Sequence, residues 1–203
     1  MVRLAGYTAG LLLAVALGIG SALWLSGWLP VASPVVAAGG VNVDGWVTHR
    51  AIGSQAANPW LRAYVARRGL LALNRSEAIY YTSYDDSDGA PLNAECAYVV
   101  EGLPPDGGWW SLTLYAADDY LAVNADNAHS VNADGVSAGD DGRWRATVQA
   151  EAPGDGSAWI SSRNAGRYSL TLRVYQPSPE LQDDPSRFEA PRIVRLGCRE
   201  GRA

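Results

Sequence analysis

Residues 109–115, Trp-Trp-Ser-Leu-Thr-Leu-Tyr, constrain the fold most because bulky apolar side chains alternate with hydroxyl-bearing ones. Successive side chains of a strand point to opposite faces, so Trp110, Leu112 and Leu114 share one apolar face. The odd-numbered residues form the other face. A near-copy, Ser-Leu-Thr-Leu, recurs at residues 169–172. Two strands that each have one apolar face predict a core between opposed sheets.

Further strands are predicted where apolar residues alternate or cluster between turn signals. They cover residues 78–84, 95–100, 121–123, 143–149 and 168–175, with a last short strand from Ile193. We expect the first two to form a hairpin around the Asp- and Gly-rich turn at residues 85–91. Asn58 and Pro59 predict a helix that Gly69 ends. The fold class is therefore mainly β: a jelly-roll-like antiparallel β-sandwich with one short helix.

The N-terminal segment has no charged residue from Leu4 to Leu29. This exceeds the roughly 20 apolar residues that cross a bilayer as a helix, and it predicts a transmembrane anchor over residues 1–29. The alternative is a cleaved signal peptide, with a small-residue site at residues 36–38. A linker over residues 30–44 and a β-sandwich domain over residues 45–203 follow. Arg3 favours a single pass through the inner membrane, with the β domain on the periplasmic or extracytoplasmic side.

The chain has two cysteines, Cys96 and Cys198. An even count in an oxidising compartment predicts a disulfide between them. Two buried free thiols are the alternative. The net charge of −5 excludes nucleic acid as an electrostatically favoured partner. The predicted partners are the lipid bilayer, through the N-terminal helix, and an envelope glycan or protein.

The polar residues offer few constellations for chemistry. His49 and His129 lie far apart without flanking ligands, so we expect no metal site, no catalytic residues and no cofactor. Asp86, Asp88 and Glu95 fall at calcium-loop positions, although Tyr84 stands where the first Asp is required. A hairpin turn stabilised by local Asp hydrogen bonds is the alternative explanation of that segment.

Exposed aromatic residues are the other functional candidates. Trp109, Tyr115 and Trp159 are predicted ligand-binding residues, because aromatic rings beside hydroxyls stack on sugars in many jelly rolls. Core packing between the sheets is the alternative role for each Trp.

These strands, taken in order, resemble the C-terminal β domain of the family catalogued as domain of unknown function 1214. The resemblance covers roughly residues 58–199. It rests on the strand at 109–115, Asn124, Asp141-Gly142, Trp159, and Ser-Leu-Thr-Leu-Arg-x-Tyr-x-Pro at 169–177. A short anchored form also matches at Cys96-Ala97-Tyr98-Val99 and at Pro191-Arg192-Ile193 with Gly197-Cys198. One departure is Ala158-Trp159-Ile160-Ser161, where the family has Asn-Trp-Leu-Pro. The resemblance implies a jelly-roll-like sandwich outside the membrane and no assigned activity.

The sequence thus predicts an exported, membrane-anchored β-sandwich that acts as a non-enzymatic binding or envelope-structural module. A carbohydrate-active enzyme or glycan-binding module is the alternative, with carboxylates such as Glu101, Asp118 or Asp119 at a cleft. Lipid handling is a third hypothesis, and it requires a continuous apolar cavity through the sandwich.

Overall fold

The computed structural model describes residues 2–29, 33–70 and 72–199. It begins with helix α1 (Val2–Leu25), whose segment Gly6–Leu25 has a mean hydropathy of 2.0. By length and composition, this helix is able to span a membrane or to serve as a signal anchor.

The rest of the described chain is mainly β. Its strands are β1 (Gly40–Val43), β2 (Trp46–His49), β3 (Ala78–Ser83), β4 (Cys96–Gly102), β5 (Gly107–Ala116), β6 (Ser130–Asn132), β7 (Trp144–Gln149), β8 (Trp159–Ser161), β9 (Tyr168–Pro177) and β10 (Arg192–Cys198). Its short helices are α2 (Pro34–Ala37), α3 (Pro59–Arg67) and α4 (Pro179–Asp183), followed by a 3₁₀ turn at Pro185–Arg187. Thus α2 and β1 lie within the range predicted as a linker, and residues 30–32 of that range lie outside the described residues.

Two sheets build the domain. The six-stranded sheet has the order β1-β2-β3-β9-β5-β6, and the four-stranded sheet has the order β10-β4-β7-β8. The described pairings are antiparallel except for β7 with β8, which are parallel. The mainly β, two-sheet prediction is confirmed, whereas the jelly-roll connectivity is not confirmed by this strand order.

The core lies between the sheets, where the sequence alternation placed it. Trp110, Leu112 and Leu114 are all nearly inaccessible to solvent, and so is Trp144 from the opposite sheet. The Trp110 and Trp144 rings meet across the interface with centroids 4.5 Å apart. Large aromatic rings bury more area than other side chains, so this pair contributes strongly to holding the sheets together.

Helix α3 begins as predicted. The Asn58 side chain accepts a hydrogen bond from the Leu61 N–H at 3.0 Å, and Pro59 occupies the first turn, where no N–H is needed. Leu61 is the helix's buried residue. The helix thus rests on the domain through one apolar side chain, while Tyr64 and Arg68 extend over the six-stranded sheet.

The predicted hairpin between the strands near residues 78–84 and 95–100 is wrong. The first of these, β3, lies in the six-stranded sheet, and β4 lies in the other. Only a single bridge, Asp85 to Pro91, closes the turn between them. The turn therefore carries the chain from one sheet to the other. In this arrangement the apolar faces of both strands are buried in the same core between the sheets.

The strand predicted at residues 121–123 is also wrong, since this segment is irregular. Its large side chains face solvent: Val123 is 87% exposed and Leu121 is 45% exposed. Apolar composition suggested a buried strand there, but no neighbouring strand pairs with the segment in the described structure.

The predicted Cys96–Cys198 disulfide is confirmed. The two cysteines face each other as partners in the pairing of β4 with β10. The bridge therefore fixes the end of the last strand to the four-stranded sheet.

Candidate functional site

A cavity of about 410 Å³ lies on the outer face of the six-stranded sheet, away from the core. Its floor consists of side chains that point outward from β3, β5 and β9. Helix α3 bounds the cavity on one side, and the covering segment, residues 33–52 with the strands β1 and β2 at the sheet edge, bounds it on the other. The cavity therefore lies on the polar face of the sheet, between α3 and the covering segment.

Three hydroxyl groups of the floor, those of Tyr115, Ser169 and Thr171, come from the two similar sequence motifs. Strands β5 and β9 are neighbours, with Thr113 opposite Thr171 and Tyr115 opposite Ser169. On the other side of β9, the Thr82 and Thr171 hydroxyl oxygens lie 3.0 Å apart. Because side chains alternate along a strand, the register that places the leucines in the core places these hydroxyls outside it.

Arg173 lies in the same outward row of β9 and is half-buried. Its Nη1 donates to the Thr113 hydroxyl at 3.0 Å, and its Nη2 donates to the Tyr115 hydroxyl. The Tyr80 and Tyr115 ring centroids lie 5.9 and 5.4 Å from the guanidinium carbon. Within the described residues, no carboxylate forms an ion pair with Arg173.

Arg68 and Asp119 form an ion pair at the cavity wall, with 2.9 Å between Nη1 and Oδ1. The guanidinium of Arg68 lies over the rings of Tyr64 and Tyr84, 5.2 and 5.3 Å from their centroids. Burial raises the pKa of the Tyr84 phenol well above its ordinary value, although the nearby Arg68 opposes that shift. Tyr84 therefore stays protonated and remains able to donate a hydrogen bond.

His49 is a fixed part of the wall. Its Nδ1 accepts the Ala51 N–H at 3.0 Å, and its Nε2 lies 2.8 Å from the Ala38 carbonyl oxygen. Since a backbone N–H only donates, Nδ1 carries no proton, and Nε2 donates to the carbonyl. Both ring nitrogens are thus engaged in holding the covering segment together.

The predicted ligand-binding aromatics lie in three different places. Tyr115 lines the cavity. Trp109, near the other end of the same strand, donates to the Asp134 carboxylate at 2.8 Å. Trp159 is in the four-stranded sheet and donates to the Gln149 carbonyl at 2.9 Å. The structure does not bring the three together, and their ligand contacts stay predictions.

Asp86, the first acidic residue of the calcium-loop pattern, is engaged in the turn after β3. Asp86 Oδ1 accepts the backbone N–H groups of Asp88 and Ala90 at 3.1 and 2.9 Å. Its Oδ2 pairs with Arg195 at 2.6 Å. Among the described residues, no group of three or more His, Cys, Asp or Glu side chains is arranged to hold a metal ion. The turn alternative accounts for the contacts of Asp86.

The carboxylates considered for glycoside cleavage are each engaged in a contact of their own. Glu101 lies on β4 and pairs with Arg145 at 3.2 Å, whereas Asp119 pairs with Arg68 beside the cavity. Asp118 accepts the Tyr120 N–H at 3.1 Å. Sequence reasoning found Tyr115 and Asp119 but missed Arg173 and Thr171 as neighbours of the site. The alternation of the second motif was the available signal for these two residues.

Two solved structures are similar to this chain, and the first of them supports the fold alone. The VPA0106 protein from Vibrio parahaemolyticus is 23% identical, with a TM-score of 0.56, over 70% of this chain and 36% of that one. An uncharacterised protein from Burkholderia cenocepacia is 20% identical, with a TM-score of 0.44, over 59% of this chain and 29% of that one. The chain thus spans about a third of the length of the structures it matches. No curated protein matches it.

The sequence profile described as "Protein of unknown function (DUF1214)" matches residues 77–179, from just before β3 to the start of α4. This range contains β5 and β9, which supply most of the cavity floor. Because the match covers just over half of the 203 residues, the chain belongs to the DUF1214 family of proteins of unknown function.

Proposed function

We propose that this protein is a membrane-anchored binding module, without catalytic activity, that holds a small ligand in the cavity on the outer face of its six-stranded sheet. The cavity itself carries the proposal. Its volume of about 410 Å³ falls in the range of small-molecule sites, roughly 300–1,000 Å³. Apolar Val41, Val47 and Ile52 line it beside the hydroxyl groups of the floor. This mixture is typical of sites that bury an apolar body and orient it by a few polar contacts.

A binding role agrees with how the ionisable groups of the wall are used. Arg68 and Asp119 already neutralise each other, and both nitrogens of His49 are engaged in hydrogen bonds. A general base needs a free lone pair within reach of its substrate. These side chains would have to break existing contacts to provide one.

Contacts at the end of α1 support attachment to a membrane on this side of the domain. The Gly27 carbonyl accepts a hydrogen bond from Arg67 Nη2 at 2.9 Å. The Trp28 ring centroid lies 5.3 Å from the Arg67 guanidinium carbon. Indole rings prefer the interface between lipid and water, so Trp28 suits the outer boundary of a spanning helix. The end of α3 would then lie close to the bilayer surface.

An exposed apolar segment lies next to that contact. Tyr120 and Val123 are 74% and 87% exposed, and the adjoining Asp119 is held by Arg68, the neighbour of Arg67. Several large apolar side chains exposed together usually mark an interaction site. In our proposal, this segment touches the periplasmic or extracytoplasmic face of the inner membrane, and the cavity lies just above the lipid.

The binding proposal is tested with the full chain in lipid nanodiscs. Ligand-observed NMR screens a set of small organic acids, alcohols, monosaccharides and disaccharides, and mass spectrometry checks each mixture for products. We expect at least one ligand whose binding is abolished by V47W, because the larger side chain fills the cavity. The control T147W alters β7 in the other sheet and should leave binding unchanged. Absence of any ligand sensitive to V47W contradicts the proposal, and product formation contradicts its non-enzymatic part.

Attachment to the membrane is tested by photolabelling with a diazirine-bearing phospholipid in the same nanodiscs. Peptides from α1 and from residues 120–123 should carry the label. Leu196, which is 61% exposed on the four-stranded sheet, serves as the internal control, and its peptide should remain unlabelled. An unlabelled α1 contradicts the anchor, whereas a labelled α1 with an unlabelled 120–123 segment contradicts only the orientation of the domain.

A further inference from the structure

Arg173 differs from Arg68, the other arginine beside the cavity, because its charge is not balanced. Arg68 is paired with Asp119 at 2.9 Å. The described contacts of Arg173 are instead with the neutral hydroxyls of Thr113 and Tyr115 and with two tyrosine rings. A half-buried guanidinium is usually paired, because desolvating an unpaired charge is costly. The sheet face beside the cavity therefore carries a positive charge that forms no ion pair with a carboxylate of the described residues.

The direction of the hydrogen bonds determines what Tyr115 offers to the cavity. A guanidinium only donates, so the oxygens of Tyr115 and Thr113 must both act as acceptors towards Arg173. The Tyr115 hydroxyl proton is then free to be donated elsewhere, and Tyr115 lines the cavity. The adjacent cation polarises this O–H group and makes it a better donor. Tyr115 thus presents to the cavity a hydrogen-bond donor that the charge of Arg173 strengthens.

The rest of the cavity wall requires that the ligand also has an apolar part. Val41, Val47 and Ile52 present apolar surface, and the rings of Tyr64 and Tyr84 flank it. A freely soluble inorganic ion would leave this surface uncovered. An organic molecule with one charged end would fill both parts of the cavity.

We infer that the ligand of this cavity is a small organic anion, a carboxylate or a phosphate ester with an apolar body, held by Tyr115 and Arg173. The inference rests on the proposed binding function and specifies its ligand class. The anion accepts the Tyr115 O–H and lies within the field of Arg173, while its apolar part packs against the covering segment. Tyr115 is the contact residue, and Arg173 orients it and supplies the charge.

Three probes that share one ring system test the inference: 2-naphthoate, 2-naphthyl phosphate and the neutral 2-naphthamide. Each is titrated calorimetrically into the full chain in nanodiscs, and a titration of empty nanodiscs is subtracted. We expect at least one anion to bind about tenfold or more tighter than the amide, the scale of a hydrogen bond to a charged group. Comparing carboxylate with phosphate distinguishes the two anion classes.

Two variants separate the roles of the residues. R173Q keeps donor groups but removes the charge, so it should weaken anion binding and abolish the preference for the anion over the amide. Y115F removes the donated proton and should weaken anion binding by a similar factor. The matched control is R143Q, which alters another half-buried arginine near the start of β7. Thermal unfolding of each variant confirms that it is folded.

Equal affinity for anions and amide in the unaltered protein overturns the inference, and so does anion binding that R173Q and Y115F leave unchanged. In both cases the proposed binding function survives if the amide still binds and V47W abolishes its binding. Failure of all three probes to bind also overturns the inference, and the proposed function is then decided by the ligand screen alone.

Discussion

Removing the disulfide is the most informative test of how the domain is held together. The double variant C96A/C198A deletes a bridge between residues 102 positions apart in the sequence. These cysteines join β4 to β10, the last strand of the described residues and an edge strand of its sheet. In the intact protein, the bridge restricts the unfolded chain to a closed loop that contains most of the domain, including β5 and β9.

The expected loss of stability follows from that loop. Closing about 100 residues is worth about 4.7 kcal/mol in the chain-entropy model. Two features of the protein reduce this value. Strand β10 still pairs with β4 from Arg192 to Arg195 without the bridge, and Ile193 remains buried in the core. Unfolded chains are also more compact than ideal coils. We therefore expect a loss of about 2–4 kcal/mol in the free energy of unfolding.

Thermal unfolding of the full chain in nanodiscs measures this loss. A domain of this size loses roughly 2–4 °C in Tm per kcal/mol, so the variant should unfold about 4–16 °C lower. Reductant should lower the Tm of the unaltered protein by a similar amount and leave that of the variant unchanged. A shift below about 2 °C would refute the reasoning, because it would mean that strand pairing alone constrains the tail as strongly as the bridge does.

Three further predictions concern the core, the helix cap and alkaline pH. W144A should lower the free energy of unfolding by about 3–5 kcal/mol in urea titrations, because the ring is buried against Trp110, while T147A on the outward face should change it little. N58A should cost about 1 kcal/mol by the same measurement, because the N-cap bond to α3 is lost. Burial raises the pKa of the Tyr168 phenol, so only the unfolded state releases that proton just above pH 10. The Tyr168 contribution to stability should therefore be fully present below that pH and fall by about 1.4 kcal/mol per pH unit above it. Because burial also raises the pKa values of Tyr81 and Tyr84, Y168F should remove the Tyr168 share of the decline and leave theirs, in unfolding curves measured from pH 8 to 11.

The core was predictable because it depends on local alternation. The apolar face of β5 was assigned correctly from sequence, since a period of two places Trp110, Leu112 and Leu114 together on one side of the strand. The helix at Pro59 was predictable for a similar reason, because its cap and its first turn have local chemical signatures. These features require no knowledge of which strand pairs with which.

The cavity was not predictable, since it depends on pairing between distant segments. Thr82 and Thr171 lie 89 positions apart, yet their hydroxyls touch on the cavity floor. The hairpin prediction failed for a related reason: β3 and β4 are close in sequence but belong to different sheets. Turn signals indicate that a chain reverses, but they do not indicate whether it stays in the same sheet.

The register of β5 and β9 links the stability of the core to the geometry of the candidate site. A slip of one residue would move Leu112 and Leu172 out of the core and place Thr113 and Thr171 inside it. Burying each leucine is worth about 1.5–3 kcal/mol, so such a slip is strongly opposed. The same free-energy cost keeps the hydroxyls and Arg173 on the outer face even when no ligand is bound. A floor held in this way loses little conformational entropy when a ligand binds, and this is the condition under which a few polar contacts suffice for specific recognition.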